Sequence, residues 1–178
     1  MMNRPQLSKL EVEVLIRSLR VPEAVKLVGI RGYYKDSMGK PGENDRGIYD
    51  DAVFLVGPDV FFSFNANTDP SVYRNHIAKL ITGIHYFKKG KHGISRPGGG
   101  YPALRPDTPG EMLPVMRDGE VGIKMAASTN IHKGSYNSTS SEGCQTIYPD
   151  EWIQFINEVY HAMDREGQKR IPYILIEQ

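Results

Sequence analysis

Ala52-Val53-Phe54-Leu55-Val56-Gly57-Pro58-Asp59-Val60-Phe61-Phe62-Ser63-Phe64-Asn65-Ala66 is the stretch that decides the fold. Two short runs of β-branched and aromatic residues flank a Gly-Pro-Asp turn signal. Each run is too short for a buried helix, so the pair reads as a β-hairpin. Working outward, Val25, Leu27, Val28, Ile30, Tyr33 and Tyr34 predict a strand over 25–34, and the polar segment 35–47 predicts a long exposed loop. Downstream, Asn67-Thr68-Asp69-Pro70 is a second turn, and 76–88 is apolar and aromatic (Ile77, Leu80, Ile81, Ile84, Tyr86, Phe87). The segment 94–114 is so rich in proline and glycine that it reads as an ordered loop over one face. Strands are predicted over 115–117 and 121–126 across Asp118-Gly119. Another is predicted at 171–176, where Pro172 suggests an edge or a strand start.

Two helices frame these strands. Leu10, Val14, Leu15 and Leu19 recur at helical spacing behind Ser8, a candidate cap, and predict an amphipathic helix over 8–20 packed on the core. Trp152, Phe155, Ile156, Val159 and Met163 mark one face of a helix that starts near Pro149-Asp150-Glu151 and stops near Gly167. The expectation is one β-rich α+β domain over 1–178, with N-terminal and C-terminal helices against a sheet or sandwich. The 178 residues suit one domain that buries a core without disulfides or a structural metal.

Lys and Arg number 22 against 21 Asp and Glu, which excludes a strongly basic nucleic-acid binder and an acidic tail protein. No run reaches the roughly 20 apolar residues of a membrane span. The start, Met1-Met2-Asn3-Arg4-Pro5-Gln6, is followed by Glu11, Glu13, Arg17 and Arg20, not by an apolar segment. A cleaved secretory signal is therefore not expected. The expectation is synthesis in the cytoplasm and a monomer.

Chemistry concentrates in 128–148. This stretch holds the only cysteine, Cys144, with His132 upstream, two glycines and a cluster of hydroxyls. A lone Cys is ordinarily a small buried apolar residue. Here a thiol and an imidazole on one loop suggest a nucleophile with its base. Gly143 permits a sharp turn and a close backbone approach to substrate. The amides of 143–145 are candidate oxyanion donors. Ser140 and Ser141 are candidates to support the loop or bind substrate.

Ile131-His132-Lys133-Gly134 followed by Ser140-Ser141-Glu142-Gly143-Cys144 resembles the active-site signature of the L,D-transpeptidase catalytic-domain family. The order, His before Cys, is that family's. The resemblance implies a β-sandwich acting on peptidoglycan stem peptides through a Cys thioester. Cys144 would be nucleophile, His132 base, and Gly143 with its neighbours part of the oxyanion hole. Glu142 stands where the family motif has a histidine, and Gln145-Thr146 follow the cysteine. Glu142 is a candidate to orient His132 or bind a stem-peptide amine. It also disfavours a thiolate unless a cation such as Lys133 compensates.

The implied function is cysteine-dependent acyl transfer, as a transpeptidase or an L,D-peptidase or carboxypeptidase, in wall remodelling or lysis. The partner is a peptidoglycan stem peptide, and no cofactor, metal or nucleic acid is implied. Without a signal, a phage-type lysin (an endolysin) or a delivered effector fits, reaching the cell wall after release. The alternative is a non-catalytic wall-binding or phage-particle protein that keeps the scaffold.

His92 and Tyr101 are further candidate substrate contacts, and Arg96 and Arg105 are candidate walls of a groove. His85, His92 and His132 would supply three imidazoles for a metal, but no ligand motif supports that reading. His76 and His161 are expected on the surfaces of helical segments. Gly98-Gly99-Gly100 lacks the strand–loop–helix context of a phosphate loop. Lys88-Lys89-Gly90-Lys91-His92 reads as a solvated turn that favours an anionic polymer.

Overall fold

A computed structural model describes residues 3–178. The hairpin at 52–66 is its organising unit. β2 (Asp51–Gly57) and β3 (Val60–Asn67) pair in register from Asp51↔Ala66 to Gly57↔Val60, leaving Pro58-Asp59 as the two-residue turn. β1 (Lys26–Arg31) pairs antiparallel with β2 and parallel with the last strand, β11 (Arg170–Glu177). β5 (Gly83–His92), β6 (Tyr101–Pro106), β9 (Ile131–Lys133) and β10 (Gln145–Ile147) complete a closed barrel in the order β1-β11-β5-β6-β9-β10-β3-β2. β4 (Ala78–Leu80), β7 (Met112–Arg117) and β8 (Lys124–Ala127) form a separate sheet in the order β4-β7-β8. The molecule is thus the β-rich α+β domain expected. Its main sheet closes on itself, where the resemblance implies a sandwich.

The alternation of side chains sorts the core into two faces. One face carries Leu27, Leu55, Phe64, Phe87, Leu104, Ile131, Ile147 and Tyr173, drawn from all eight barrel strands, and is the barrel interior. Gly29 also faces it; a Cβ there would collide with the Tyr173 ring. α2 (Trp152–Arg165) adds Trp152, Phe155, Ile156, Val159 and Met163 to this cluster, the face its periodicity predicts. The opposite face of β1, β2 and β11 carries Val28, Ile30, Phe54 and Ile174, and α1 (Lys9–Ile16) covers it.

Ser8 caps α1 as expected. Its side chain accepts from the Glu11 amide, and the Glu11 carboxylate accepts from the Ser8 amide. The buried stripe differs from the prediction. Val12 and Ile16 are buried, while Leu10, Val14, Leu15 and Leu19 are exposed, Leu10 by 65%. A short helix with apolar residues on several sides offers more than one stripe, and contact with Phe54 and Val56 selects one.

Proline and glycine mislead at 94–114. β6 and the start of β7 lie inside this segment. β6 pairs with β5 along its length but with β9 only through Leu104↔Ile131, so most of one edge is free and accepts Pro102 and Pro106. The basic run 88–92 is β5 strand, not a turn. His76 is not helical: it sits in a turn at φ +68°, paired with Glu120. His161 lies exposed on α2 as expected. β11 is paired on both sides, and Pro172 just precedes its ladder with β1, at the strand start. Among the described residues, no helix is long and apolar enough to cross a membrane. Met1 and Met2, where the reading on a leader begins, lie outside the described residues.

Candidate active site

β9 and β10 are parallel neighbours at the barrel mouth, with Gln145↔Ile131 and Thr146↔His132 in register. Residue 144 therefore ends beside residue 130, although 134–143 loops away between them. The Asn130 amide donates to Cys144 Sγ (3.4 Å), and the Gln145 amide donates to the Asn130 carbonyl (2.9 Å). A cavity of about 930 Å³ opens here. Its wall includes Cys144, His132, His92, Tyr101, Ser140, Ser141, Glu142 and Gly143. All the residues singled out in the sequence as catalytic or substrate-binding thus share one cavity.

The two imidazoles come from different strands. His92 ends β5, opposite Tyr101 at the start of β6, and its ring stacks on His132 at 3.8 Å and 13°. His132 Nδ1 lies 2.7 Å from the Lys133 carbonyl, so in the neutral ring Nδ1 carries the proton and Nε2 keeps its lone pair. The Tyr101 hydroxyl is 3.4 Å from both His132 Nδ1 and the Lys133 carbonyl. The Asn130 amide nitrogen donates to His92 Nδ1 (3.1 Å), which leaves His92 Nε2 as the N–H. One ring thus offers a base and the other a donor.

Burial sets the protonation states. It pushes His132 down to about 4, with His92 adding to the effect, and lowers His92 as well. Burial pushes the Cys144 thiol up to about 11, with the Asn130 amide opposing and Glu142 adding. The resting pair is a neutral thiol and neutral imidazoles. At rest the Sγ–H points to the Ser128 carbonyl (3.6 Å). The cation that eases the thiolate is Arg105, not Lys133. Arg105 itself is held by Glu111.

The loop residues divide by what their polar groups already do. The Gly143 amide donates to Ser141 Oγ (3.1 Å), and the Gln145 amide is taken by Asn130. Two of the three expected oxyanion donors are therefore engaged internally. Among the described residues, the Cys144 amide donates to no other group. Gly143 is needed for another reason. Its φ is +128°, and a Cβ would lie 2.8 Å from the Ala78 carbonyl of β4. Ser141 supports the loop: it donates to the Cys144 carbonyl (2.6 Å) and bonds Ser71 through its amide (2.7 Å). Ser140 is exposed at φ +59°. Glu142 does not orient His132; it is exposed and pairs with Arg74 at 2.9 Å.

His85 does not join the other histidines. It lies seven residues before His92 on the same strand, an odd spacing that turns it to the opposite face. Its Nε2 is 2.8 Å from the Ile81 carbonyl. Among the described residues, no group of three His, Cys, Asp or Glu side chains is placed to hold a metal. Arg96 is on the cavity wall; Arg105 is behind it.

Asn130 is the residue that the sequence reading passes over. It is buried and joins the sulfur, through its amide, to His92, through its side chain. Its spacing of two from His132 is the available signal, since in extended chain entering β9 the two side chains point to one side.

The fold and site together describe a β-barrel domain with a thiol and two stacked imidazoles in one cavity. No family model, no curated protein and no solved structure matches this chain.

Proposed function

We propose that the protein is a cysteine-dependent acyl-transfer enzyme acting on peptidoglycan stem peptides, as an L,D-transpeptidase or L,D-peptidase. The observation that supports this reading most is that Cys144 and the stacked His132 and His92 line one open cavity. Arg96, Arg117 and Lys133 on the same wall favour a substrate bearing carboxylates, as stem peptides do.

The proton leaves Cys144 as the new bond forms, because neither group is charged at rest. On substrate binding, the Sγ–H turns from Ser128 to His132 Nε2. Sγ bonds the carbonyl carbon, its proton passes to His132, and the carbonyl oxygen becomes an oxyanion. The Cys144 amide and His92 Nε2–H are the available donors for that charge. The oxyanion collapses, and the leaving amine takes the proton from His132, giving a thioester and a neutral ring. Water then yields a carboxylic acid and free thiol; an amine acceptor yields a new amide.

A second reading, a non-catalytic wall-binding protein, draws on the thiol's bond to Ser128 and its raised pKa. Mass spectrometry of stem peptides and peptidoglycan, incubated with wild type and Cys144→Ala, separates the two. The enzyme reading expects a lost residue, a cleaved cross-link or a heavier cross-linked product with wild type alone. Unchanged substrate with folded wild type, together with retention on wall material, supports the second.

A further inference from the structure

β8 is the last strand of the small sheet, and among the described residues no strand pairs with its outer edge. The Ser128 amide donates to the Glu111 carbonyl (3.1 Å), which makes 128/111 a hydrogen-bonded pair. Bonded and non-bonded pairs alternate in an antiparallel ladder. Residues 126 and 124 therefore face β7, while the N–H and C=O of Met125 and Ala127 point outward. The pairing of Met125 with Pro114, which has no N–H to exchange, agrees with this phase.

The free edge runs into the cavity. Ala126 and Ala127 at the end of β8 both line it, although consecutive side chains in a strand point to opposite faces, and Ser128 and Thr129 beyond the strand continue the wall. The backbone edge is thus part of the wall. The strand is short and carries Lys124, but it has no proline, bulge or inward charge to block pairing. Lys124 on the strand and Arg96, Arg117 and Lys133 on the cavity wall outnumber the one carboxylate there, Glu142, which pairs with Arg74, and give the surround a positive character.

We propose that β8 is the docking strand for an extended, carboxylate-bearing peptide. The peptide's backbone pairs with Met125 and Ala127 and delivers one carbonyl to Cys144. This deepens the acyl-transfer reading and rests on it for the identity of the peptide. Main-chain pairing supplies affinity with little dependence on side chains. The cations and the small Ala126 and Ala78 then select a slender acidic chain.

The test uses a synthetic stem tetrapeptide and the full chain. Amide hydrogen exchange of Cys144→Ala is followed with and without peptide. The proposal expects exchange at Met125 and Ala127 to slow on peptide addition, with no change at the inward amides of 124 and 126. Ala127→Pro removes only an outward N–H, and Ala127→Gly keeps it. The proline variant is expected to raise KM about fivefold, from the loss of one hydrogen bond, with kcat and iodoacetamide labelling of Cys144 unchanged. The glycine variant, which keeps the N–H, is expected to raise KM less than the proline variant does. If the proline variant unfolds, the exchange measurement decides alone. Turnover without protection at 125 and 127 overturns the docking strand and leaves the acyl-transfer reading standing. Protection without turnover does the reverse. Neither protection nor turnover overturns both.

Discussion

Two clusters of buried ionisable groups, one around Arg31 and one around Cys144, differ in where their hydrogen bonds go. At the end of β1, Arg31 is fully buried and spends its guanidinium inward. It donates to Thr68 Oγ1 (3.0 Å), the Thr68 carbonyl (2.7 Å) and the Leu80 carbonyl (3.0 Å), and lies 3.2 Å from Asp69. Asp51 beside it accepts from the amides of Gly32 and Thr68, both at 2.6 Å. This cluster ties the loops after β1 and β3 together. In the Cys144 cavity the reverse holds: the Cys144 amide and the Nε2 atoms of His92 and His132 bond to nothing in the described chain. Both clusters carry strongly shifted pKa values, so the shifts alone do not mark a site. Unspent donors and acceptors facing an open cavity do.

The comparison is sharpest in what substitution removes. Arg31→Met strands two buried carbonyls and leaves Asp69 with Lys79 and Asn44 as its side-chain partners, and is expected to cost about 3 kcal/mol in urea unfolding. Cys144→Ala should cost about 1 kcal/mol or less yet abolish acyl transfer. Equal losses of stability would break the distinction between structural and functional cluster. His132→Gln is expected to lower the acyl-transfer rate by about 10²–10⁴ while leaving alkylated Cys144 detectable by mass spectrometry. An unchanged rate would remove His132 as the base.

Acid separates the two clusters by sign. His132 stays neutral in the fold down to about pH 4, whereas the unfolded ring takes a proton near 6.5. Acidification through that window favours the unfolded chain, by up to about 1.4 kcal/mol per pH unit. Asp50 is pushed up to about 6 by burial, and burial beside Asp69 raises Asp51 as well. Their carboxyls take protons in the fold before they do in the unfolded chain, so acidification through the same window favours the fold. The slopes oppose each other. Relative to wild type, His132→Gln should therefore shift the change in stability from pH 6 to 4 upward, and Asp51→Asn should shift it downward, both read from urea midpoints. The smallest effect belongs to Glu142→Gln. Its exposed pair with Arg74 contributes about 0–1 kcal/mol, so the unfolding midpoint should barely move. The pH midpoint of Cys144 alkylation should move down, since Glu142 raises that thiol.

Much of the architecture was legible because it follows from local chemistry. The hairpin needs only two apolar runs and a Pro-Asp turn, and the buried face of α2 is a single unambiguous stripe. Where local signals conflicted with tertiary pairing, the reading failed. Proline in β6 is harmless because only Leu104 pairs with β9, and that partnership is invisible in 94–114. The side of α1 that faces the core is decided by Phe54 and Val56.

The candidate site divides in the same way. By itself the sequence determined that a thiol, an imidazole and a glycine-bearing hydroxyl-rich loop lie within one short stretch, because all are encoded between 128 and 148. Only the tertiary structure decided which groups are available. Closing the barrel brings His92 from β5 onto His132, and the parallel pairing of β9 with β10 sets Asn130 against the sulfur. The loop packed on β4 spends the amide of Gly143 on its own Ser141, and burial leaves thiol and imidazole neutral. A chain specifies its reactive groups residue by residue. Their protonation and their free hydrogen-bonding capacity depend on neighbours brought from distant strands.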